Sequence, residues 1–205
     1  MIVSSSQHWD DAYARKPVDQ LSWYQRTPDV SLELIARAGL ASDEPIVDVG
    51  GGASHLVDAL MDAGFDDVSV LDISRTALAQ SQARVGARGD RVHWICADVT
   101  TWQPARTYRL WHDRAVFHFL AEAADQERYA QTAAAAVAPG GWLVLATFAP
   151  DGPTTCSGLP VVRWDSDGLA TRFAPDFVAV GELREEHVTP SGRVQPFTWI
   201  LLRHR

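Results

Sequence analysis

The chain has 205 residues, of which 46% are hydrophobic and 21% charged, so it is long enough to bury one substantial core. Its formal net charge of -8 argues against a nucleic-acid partner, because such proteins usually present a basic face to the phosphates. Two cysteines cannot build a disulfide framework, no Cys/His cluster has zinc-site spacing, and no stretch approaches the ~20 apolar residues of a membrane span. We therefore expect no metal, no membrane contact, no signal peptide and a cytoplasmic location.

The N-terminal part of the chain predicts two short helices. Gln7 to Arg15 forms the first, which serines at positions 4–6 are placed to cap, and Lys16-Pro17 ends it. Pro28 to Ala38 forms the second, with proline in its first turn and Gly39 at its end.

From residue 45 onward, strands alternate with helices. The predicted strands are Ile46–Val49, Val68–Leu71, Val92–Cys96, Tyr108–His112 and Trp142–Phe148, and the predicted helices are Ser54–Ala63, Ser74–Val85 and Ala124–Val137. This alternation is typical of parallel βαβ units with right-handed crossovers.

The last third of the chain changes character. Asp151–Gly158 is rich in glycine, proline, serine and threonine and predicts a loop, and Asp165–Arg172 predicts a helix. Two strands, Phe177–His187 and Gln195–Arg203, follow on either side of a short turn, which predicts an antiparallel hairpin.

Each of the first four predicted strands ends near an acidic residue, and the first of these acids precedes a run of glycines. The acids are Asp48, Asp72, Asp98 and Asp113, and the glycines are Gly50, Gly51 and Gly52. In open parallel sheets ligands bind beyond the carboxyl ends of the strands, and glycines let the backbone approach a ligand closely. A carboxylate at Asp72 is placed to accept ribose hydroxyls, and Asp98 is placed to bond an adenine amino group.

A nicotinamide enzyme is the first alternative for such a turn. The dinucleotide fingerprint G-x-G-x-x-G would need glycine at position 55, where this chain has His55. The pattern therefore favours a different nucleoside cofactor.

The ordered motifs resemble those of the class I S-adenosylmethionine-dependent methyltransferases. The family's acidic-x-Gly-x-Gly-x-Gly motif is matched by Asp48-Val-Gly50-Gly-Gly52-Ala-Ser54, with serine in place of the final glycine. The later matches are Val70-Leu-Asp72-Ile-Ser74, Ala97-Asp98-Val99, Asp113-Arg-Ala-Val-Phe-His118 and Pro139-Gly-Gly-Trp-Leu-Val-Leu145.

The resemblance implies one α/β domain over residues 1–205. Its fold would be a Rossmann-like, seven-stranded, mostly parallel sheet with helices on both faces and a C-terminal antiparallel hairpin. Residues 1–44 would form a helical lid, residues 45–150 the cofactor-binding core, and residues 151–205 the final loop, helix and hairpin.

The resemblance also implies S-adenosylmethionine as cofactor and assigns roles to the acids. Asp48 and the three glycines would line its methionine end, Asp72 would hold the ribose, and Ile73 would also contact the cofactor. The hydroxyl of Ser54 would either cap the following helix or touch the cofactor carboxylate. Asp98 and Val99 would frame the adenine, and Asp113 would close the floor beside the sulfonium.

Four further side chains have two interpretations each. His118 is either a general base over the substrate or the wall of a pocket. Trp23 and Tyr24 either contact the sulfonium or anchor the N-terminal segment on the core. Cys156 is either a thiolate that contacts the substrate or an inert small residue, whereas Cys96, inside a strand, is expected in the core.

The leading functional hypothesis is methylation of a small-molecule acceptor. The alternatives are methylation of a protein lysine and a non-catalytic module that binds adenosylmethionine. A closed, tryptophan-lined pocket favours the small acceptor, whereas an open acidic rim favours a protein. The sequence does not choose between O, N and S as the methylated atom, or between a monomer and a homodimer.

Overall fold

The computed structural model describes residues 6–205, so part of the predicted serine cap, at residues 4 and 5, lies outside the described residues. The helices are α1 (Ser6–Arg15), α2 (Asp29–Ala38), α3 (Leu56–Asp62), α4 (Arg75–Val85), α5 (Ala123–Ala136) and α6 (Ser166–Phe173). The strands are β1 (Ile46–Val49), β2 (Val68–Asp72), β3 (His93–Cys96), β4 (Tyr108–Arg114), β5 (Val137–Phe148), β6 (Thr155–Cys156), β7 (Leu159–Pro160), β8 (Phe177–Val188) and β9 (Val194–His204).

Seven of these strands form one sheet in the order β3-β2-β1-β4-β5-β9-β8. The first five run parallel, and β9 runs antiparallel to both β5 and β8. The predicted α/β fold with a seven-stranded, mostly parallel sheet and a C-terminal antiparallel hairpin is therefore confirmed. Because the strand order reverses between β1 and β4, a crevice opens beyond their carboxyl ends.

Apolar side chains cover both faces of the sheet. On one face the strands pack against α2, α3 and α4, through residues such as Leu34, Leu60 and Leu78. On the other face they pack against α5 and α6, through Tyr129 and Phe173. Strands buried on both sides explain the nearly continuous apolar runs of β1 and β2.

Three details differ from the sequence predictions. Helix α3 begins at Leu56 rather than Ser54, because the Ser54 hydroxyl accepts the Leu56 N–H at 3.0 Å outside the helix. The predicted loop after β5 contains the short antiparallel pair β6–β7. Cys96 is exposed rather than in the core, because β3 is the edge strand of the sheet. No helix within residues 6–205 is long and apolar enough to cross a membrane.

Candidate active site

The glycine turn after β1 packs tightly on two buried carboxylates. Gly50 and Gly52 have φ values of 68° and 38°, a left-handed conformation that side chains other than glycine's rarely adopt. A Cβ atom on Gly51 would lie 2.5 Å from Asp48 Oδ2, and one on Gly52 would lie 2.7 Å from Asp72 Oδ2. The turn therefore brings bare backbone up to the carboxyl ends of β1 and β2.

Asp48 is held beneath this turn by a buried hydrogen-bonded chain. The side chain of Asp48 is 2% exposed, and its Oδ1 lies 2.7 Å from His112 Nδ1. His112 Nε2 in turn lies 2.9 Å from the Ser31 hydroxyl of α2. The pairing with His112 gives the buried carboxylate a partner that also fixes its orientation.

Asp72, at the end of β2, has the most strongly shifted pKa of the acids that line the crevice. Its Oδ1 accepts the Ser74 N–H at 2.8 Å, which ties it to the start of α4. Burial raises the pKa of Asp72 to about 7, and the nearby negative charges of Asp48 and Asp10 add to that effect. The ionised form of Asp72 is therefore unfavourable at this position unless further hydrogen-bond donors join the Ser74 N–H.

An aromatic cluster from the N-terminal segment roofs the crevice. Trp23 lies edge-on to Trp9 and to Tyr13, each at 5.9 Å between ring centroids, and Trp9 meets Phe119 at 4.9 Å. The Trp23 indole N–H donates to the Tyr13 hydroxyl at 3.3 Å. We call Trp9, Tyr13, Trp23 and Phe119 the aromatic roof.

The roof is tied to the core through α4. Asp10 of α1 accepts the Ser74 hydroxyl proton at 2.6 Å and the Thr76 N–H at 2.9 Å. The Gln80 side chain donates to the Tyr13 carbonyl at 3.1 Å. These bonds place α1 across the carboxyl end of β2.

Two adjoining cavities lie under the roof. The first extends over the ends of β2 and β3 and reaches the aromatic roof, and the second lies over the glycine turn. They share Tyr13, Trp23, Val49, Gly50 and Arg114 as walls. The predicted site residues that line one or both are Trp23, Tyr24, Asp48, Gly50, Gly51, Ser54, Asp72, Ile73, Asp98, Val99 and Cys156.

The position of Asp113 does not match the predicted floor of the site. Asp113 is fully buried and lines neither cavity, because its carboxylate accepts the Val116 and Phe117 N–H groups, at 2.8 and 3.1 Å, and the Tyr129 hydroxyl proton. Burial raises the pKa of Asp113 to about 6 although these bonds favour the carboxylate. Asp113 fixes the turn that follows β4. The cavity is lined instead by the next three residues, Arg114, Ala115 and Val116.

Gly52 also lies behind the cavity wall rather than in it. Its carbonyl accepts the Ser81 hydroxyl proton at 2.7 Å, and it packs beside Asp72. Its contribution is to let α4 and β2 approach the turn.

His118 does not reach the cavities from its position in the structure. Its side chain is fully buried, its Nδ1 accepts the Phe148 N–H at 3.4 Å, and it lines neither cavity. Burial, aided by the charge of Arg114, lowers the pKa of His118 to about 3, so the ring is neutral at physiological pH. This position matches the structural interpretation and not that of a base in contact with substrate.

Cys156 lines the first cavity from the short strand β6, but its thiol is not activated. The residue is 7% exposed, and burial raises the pKa of its thiol to about 12. A protonated thiol is a weak nucleophile, so this position matches the interpretation of an inert wall residue.

Sequence reasoning missed Trp9, Tyr13 and Arg114. Trp9 and Tyr13 lie one turn apart on α1, so their spacing places both on one helix face. Arg114 follows Asp113 in the motif that runs from Asp113 to His118, where the sequence predicts roles only for the first and last residues. Both signals were present in the sequence, but neither identifies which face of α1 or which residue of the motif meets the crevice.

Residues 46–141 match the sequence model of a family described as a methyltransferase domain. A trans-aconitate 2-methyltransferase of Methylobacterium radiotolerans is 33% identical over 119 residues, which cover 58% of this chain and 43% of that protein. An eEF1A lysine and N-terminal methyltransferase of Mus musculus is 25% identical over 113 residues, 54% of this chain and 16% of that protein. The chain thus spans less than half the length of each of these two relatives.

A crystal structure of an S-adenosylmethionine-dependent methyltransferase from Anabaena variabilis superimposes on this chain with a TM-score of 0.77, at 16% sequence identity. The match covers 100% of this chain and 96% of that one, so the fold is shared from end to end. Residues 46–141, somewhat less than half of the chain, therefore match a methyltransferase domain in sequence, and the whole chain shares its fold with this S-adenosylmethionine-dependent methyltransferase.

Proposed function

We propose that the protein transfers a methyl group from S-adenosylmethionine to a small-molecule acceptor. The observation that carries this proposal is the aromatic roof, which walls the first cavity with Trp9, Trp23 and Phe119 above the cofactor-binding strands. A walled, mostly apolar cavity suits a small acceptor that enters whole. A protein side chain would need an open approach.

The residues present fit the proposed cofactor. The second cavity, over the glycine turn and Asp48, would hold the methionine end, where backbone without side chains leaves room for close approach. In the first cavity Asp72 would accept both ribose hydroxyl protons, which supplies the donors that its buried carboxylate needs. Asp98, whose Oδ1 already accepts the Thr100 N–H at 2.8 Å, would frame the adenine with Ile73 and Val99.

The chain's own contribution to the reaction is alignment and exclusion of water. When bound, the cofactor would supply an electrophilic methyl carbon, whose transfer to the acceptor breaks its bond to the sulfonium and leaves S-adenosylhomocysteine. The walls that the two cavities share fix where these groups meet, and the roof keeps water from that point. Trp23 and Tyr24 line the second cavity, where their rings would face the cation. We assign Cys156 to the wall of the first cavity and His118 to the core behind it, and neither of them to proton transfer.

Methylation of a protein lysine is the second candidate, and the observation that favours it is the match to the mouse eEF1A lysine and N-terminal methyltransferase. That match covers 54% of this chain and 16% of that protein, whereas the aromatic roof, three of whose four residues lie in the N-terminal segment, walls the first cavity. The roof therefore makes the small acceptor the first choice.

The decisive experiment uses S-adenosylmethionine with a tritiated methyl group and a fractionated cell extract. The small-molecule filtrate and the macromolecular fraction are incubated separately with the enzyme. Gly51→Ala is the matched variant, because its new Cβ would displace the Asp48 carboxylate beneath the glycine turn. We expect label in the small-molecule fraction with the native protein alone. Label only in protein would favour the lysine candidate, and cofactor binding with label in neither fraction would favour a non-catalytic module.

A further inference from the structure

We propose that the methyl acceptor binds as an anion, with its negative charge held against the guanidinium of Arg114. This inference rests on the proposed function and names the chemical class of its substrate. Arg114, the last residue of β4, is a wall of both cavities. Within the described part of the chain, no other arginine or lysine lines either cavity.

The guanidinium of Arg114 is buried and incompletely paired. Its side chain is 10% exposed, and Nη1 donates to the Trp23 carbonyl at 3.0 Å. Nε and Nη2 have neither solvent contact nor a hydrogen-bond partner among residues 6–205. Charged donors that are buried in this way are costly to leave unpaired.

The neighbouring carboxylate balances the charge of Arg114 but accepts no hydrogen bond from Nε or Nη2. Glu185 Oε2 lies 3.9 Å from Arg114 Nε, beyond hydrogen-bond distance. Both oxygens of Glu185 are already used, since Oε1 accepts the Gln25 amide N–H at 2.7 Å and Oε2 the Trp199 indole N–H at 2.8 Å. On its other side the guanidinium stacks 4.6 Å from the centroid of the Phe197 ring. Arg114 therefore keeps unpaired charged donors, and an incoming anion would supply the acceptors that they lack.

Because Arg114 lies between the two cavities, its guanidinium affects which acceptors can bind there. If the cofactor occupies the site as proposed, its sulfonium would lie near the shared walls, so an acceptor there would meet that positive charge and the unpaired donors of Arg114. An anionic acceptor is attracted by the sulfonium and can accept from the guanidinium, whereas a cationic ammonium is repelled by the sulfonium and has no lone pair to accept with. The geometry selects against a protonated amine and for a carboxylate, thiolate or other ionised group.

The other titratable groups near the aromatic roof also favour an acceptor that is already ionised. Burial raises the pKa of the Tyr13 hydroxyl and raises that of the Cys156 thiol to about 12, so both keep their protons at neutral pH. No histidine lines the first cavity within the described residues, and its two aspartates, Asp72 and Asp98, lie at the cofactor end. An acceptor that is already ionised needs no base from this wall.

The test is calorimetric titration of the protein loaded with S-adenosylhomocysteine. Benzoate, phenylacetate and cinnamate are the probes, and each is compared with its neutral amide because the aromatic roof suits flat apolar bodies. We expect the native protein to bind at least one acid about tenfold or more tightly than its amide, the scale of one charge-assisted hydrogen bond. Equal binding of each acid and its amide, or no binding of any acid, would overturn the inference. The proposed function would still stand in that case if the protein binds S-adenosylhomocysteine.

Variants of Arg114 separate the acceptor's charge from the carboxylate of the cofactor itself. Arg114→Gln should abolish the preference for the acid and leave the affinity for S-adenosylhomocysteine within about twofold, and Arg114→Lys should retain part of the preference. Arg163→Gln is the matched control, since Arg163 also donates to a backbone carbonyl but lines neither cavity. If Arg114→Gln weakens S-adenosylhomocysteine but not 5′-methylthioadenosine, which lacks the amino-acid end, Arg114 holds the cofactor and the inference is wrong. Failure of the native protein to bind S-adenosylhomocysteine would instead overturn the proposed function, and the inference with it.

Discussion

The substitution Asp72→Asn should make the ligand-free protein more stable and its cofactor site weaker. In the folded protein burial raises the pKa of Asp72 to about 7, whereas an exposed aspartate titrates near ~3.9. A folded-state pKa above the unfolded one means that the folded state binds the proton more tightly. The resulting stabilisation is complete below about pH 4 and is lost as pH rises through about 7.

The magnitude follows from that difference of roughly three units. Each unit corresponds to about 1.4 kcal/mol, so ionised Asp72 lowers the free energy of unfolding at pH 8 by up to about 4 kcal/mol relative to acid pH. Asparagine removes this penalty and keeps a carbonyl oxygen that can accept the Ser74 N–H. For a domain of this size 1 kcal/mol shifts the unfolding temperature by about 2–4 °C, so a gain of several degrees at pH 8 is expected.

The same change removes the carboxylate proposed to accept the ribose hydroxyl protons. Loss of a charge-assisted hydrogen bond weakens binding by about 1.5–3 kcal/mol, or about 10- to 150-fold. Differential scanning calorimetry at pH 5 and pH 8 and titration with S-adenosylhomocysteine measure the two effects, with the exposed Asp43→Asn as control. Unchanged affinity would refute the ribose assignment, and a stability change that is the same at both pH values would refute the burial argument.

Three further substitutions or modifications test the other parts of the site. Iodoacetamide should alkylate the exposed Cys96 in the native protein and leave Cys156 unmodified until denaturation, as read by peptide mass spectrometry. Gly51→Ala should lower the free energy of unfolding by about 1–3 kcal/mol and abolish S-adenosylhomocysteine binding, because its Cβ would meet the Asp48 carboxylate at 2.5 Å. His112→Phe should destabilise the protein by about 3–5 kcal/mol in urea unfolding, because it leaves that buried carboxylate without its partner.

Each of these expectations has an outcome that would contradict it. Alkylation of the two cysteines at similar rates would restore the reactive interpretation of Cys156. Gly181→Ala, where the nearest atom to the new Cβ is 3.9 Å away, should bind normally, so a similar loss in both glycine variants would discredit the close-packing argument. Wild-type stability of His112→Phe at neutral pH would show that Asp48 does not need the imidazole.

The fold was predictable because its signals are local and agree with one another. Ser74 was predicted as a helix cap, and it accepts the Ala77 N–H at 3.1 Å. Gly39 was predicted to end a helix, and it has the left-handed φ of 65° that this position requires. Alternating strands and helices then leave few topologies to choose from.

The roles of individual site residues were less predictable, because a motif gives a backbone position and not the direction of a side chain. Asp113 lies one residue before the end of β4, much as Asp72 ends β2, but a turn with Ala115 at φ 75° offers it N–H donors on the protein side. His118 sits in a short 3₁₀ turn that directs its ring into the core. In both cases contacts that are distant in sequence, with Tyr129 and Phe148, decide where the side chain lies.

The predicted lid and the predicted cofactor site meet in one residue, Ser74. Its backbone N–H donates to Asp72, and its hydroxyl donates to Asp10 of α1, so the acid proposed to bind the ribose and the roof helix both bond to the same buried serine. Tyr13 extends this connection, since its hydroxyl lies 2.9 Å from the place where a Gly52 Cβ would be, beside Asp72 Oδ2. The roof therefore cannot shift without disturbing the start of α4. Because that start also positions the Asp72 carboxylate, the proposed acceptor cavity and the proposed cofactor site share one framework of buried hydrogen bonds.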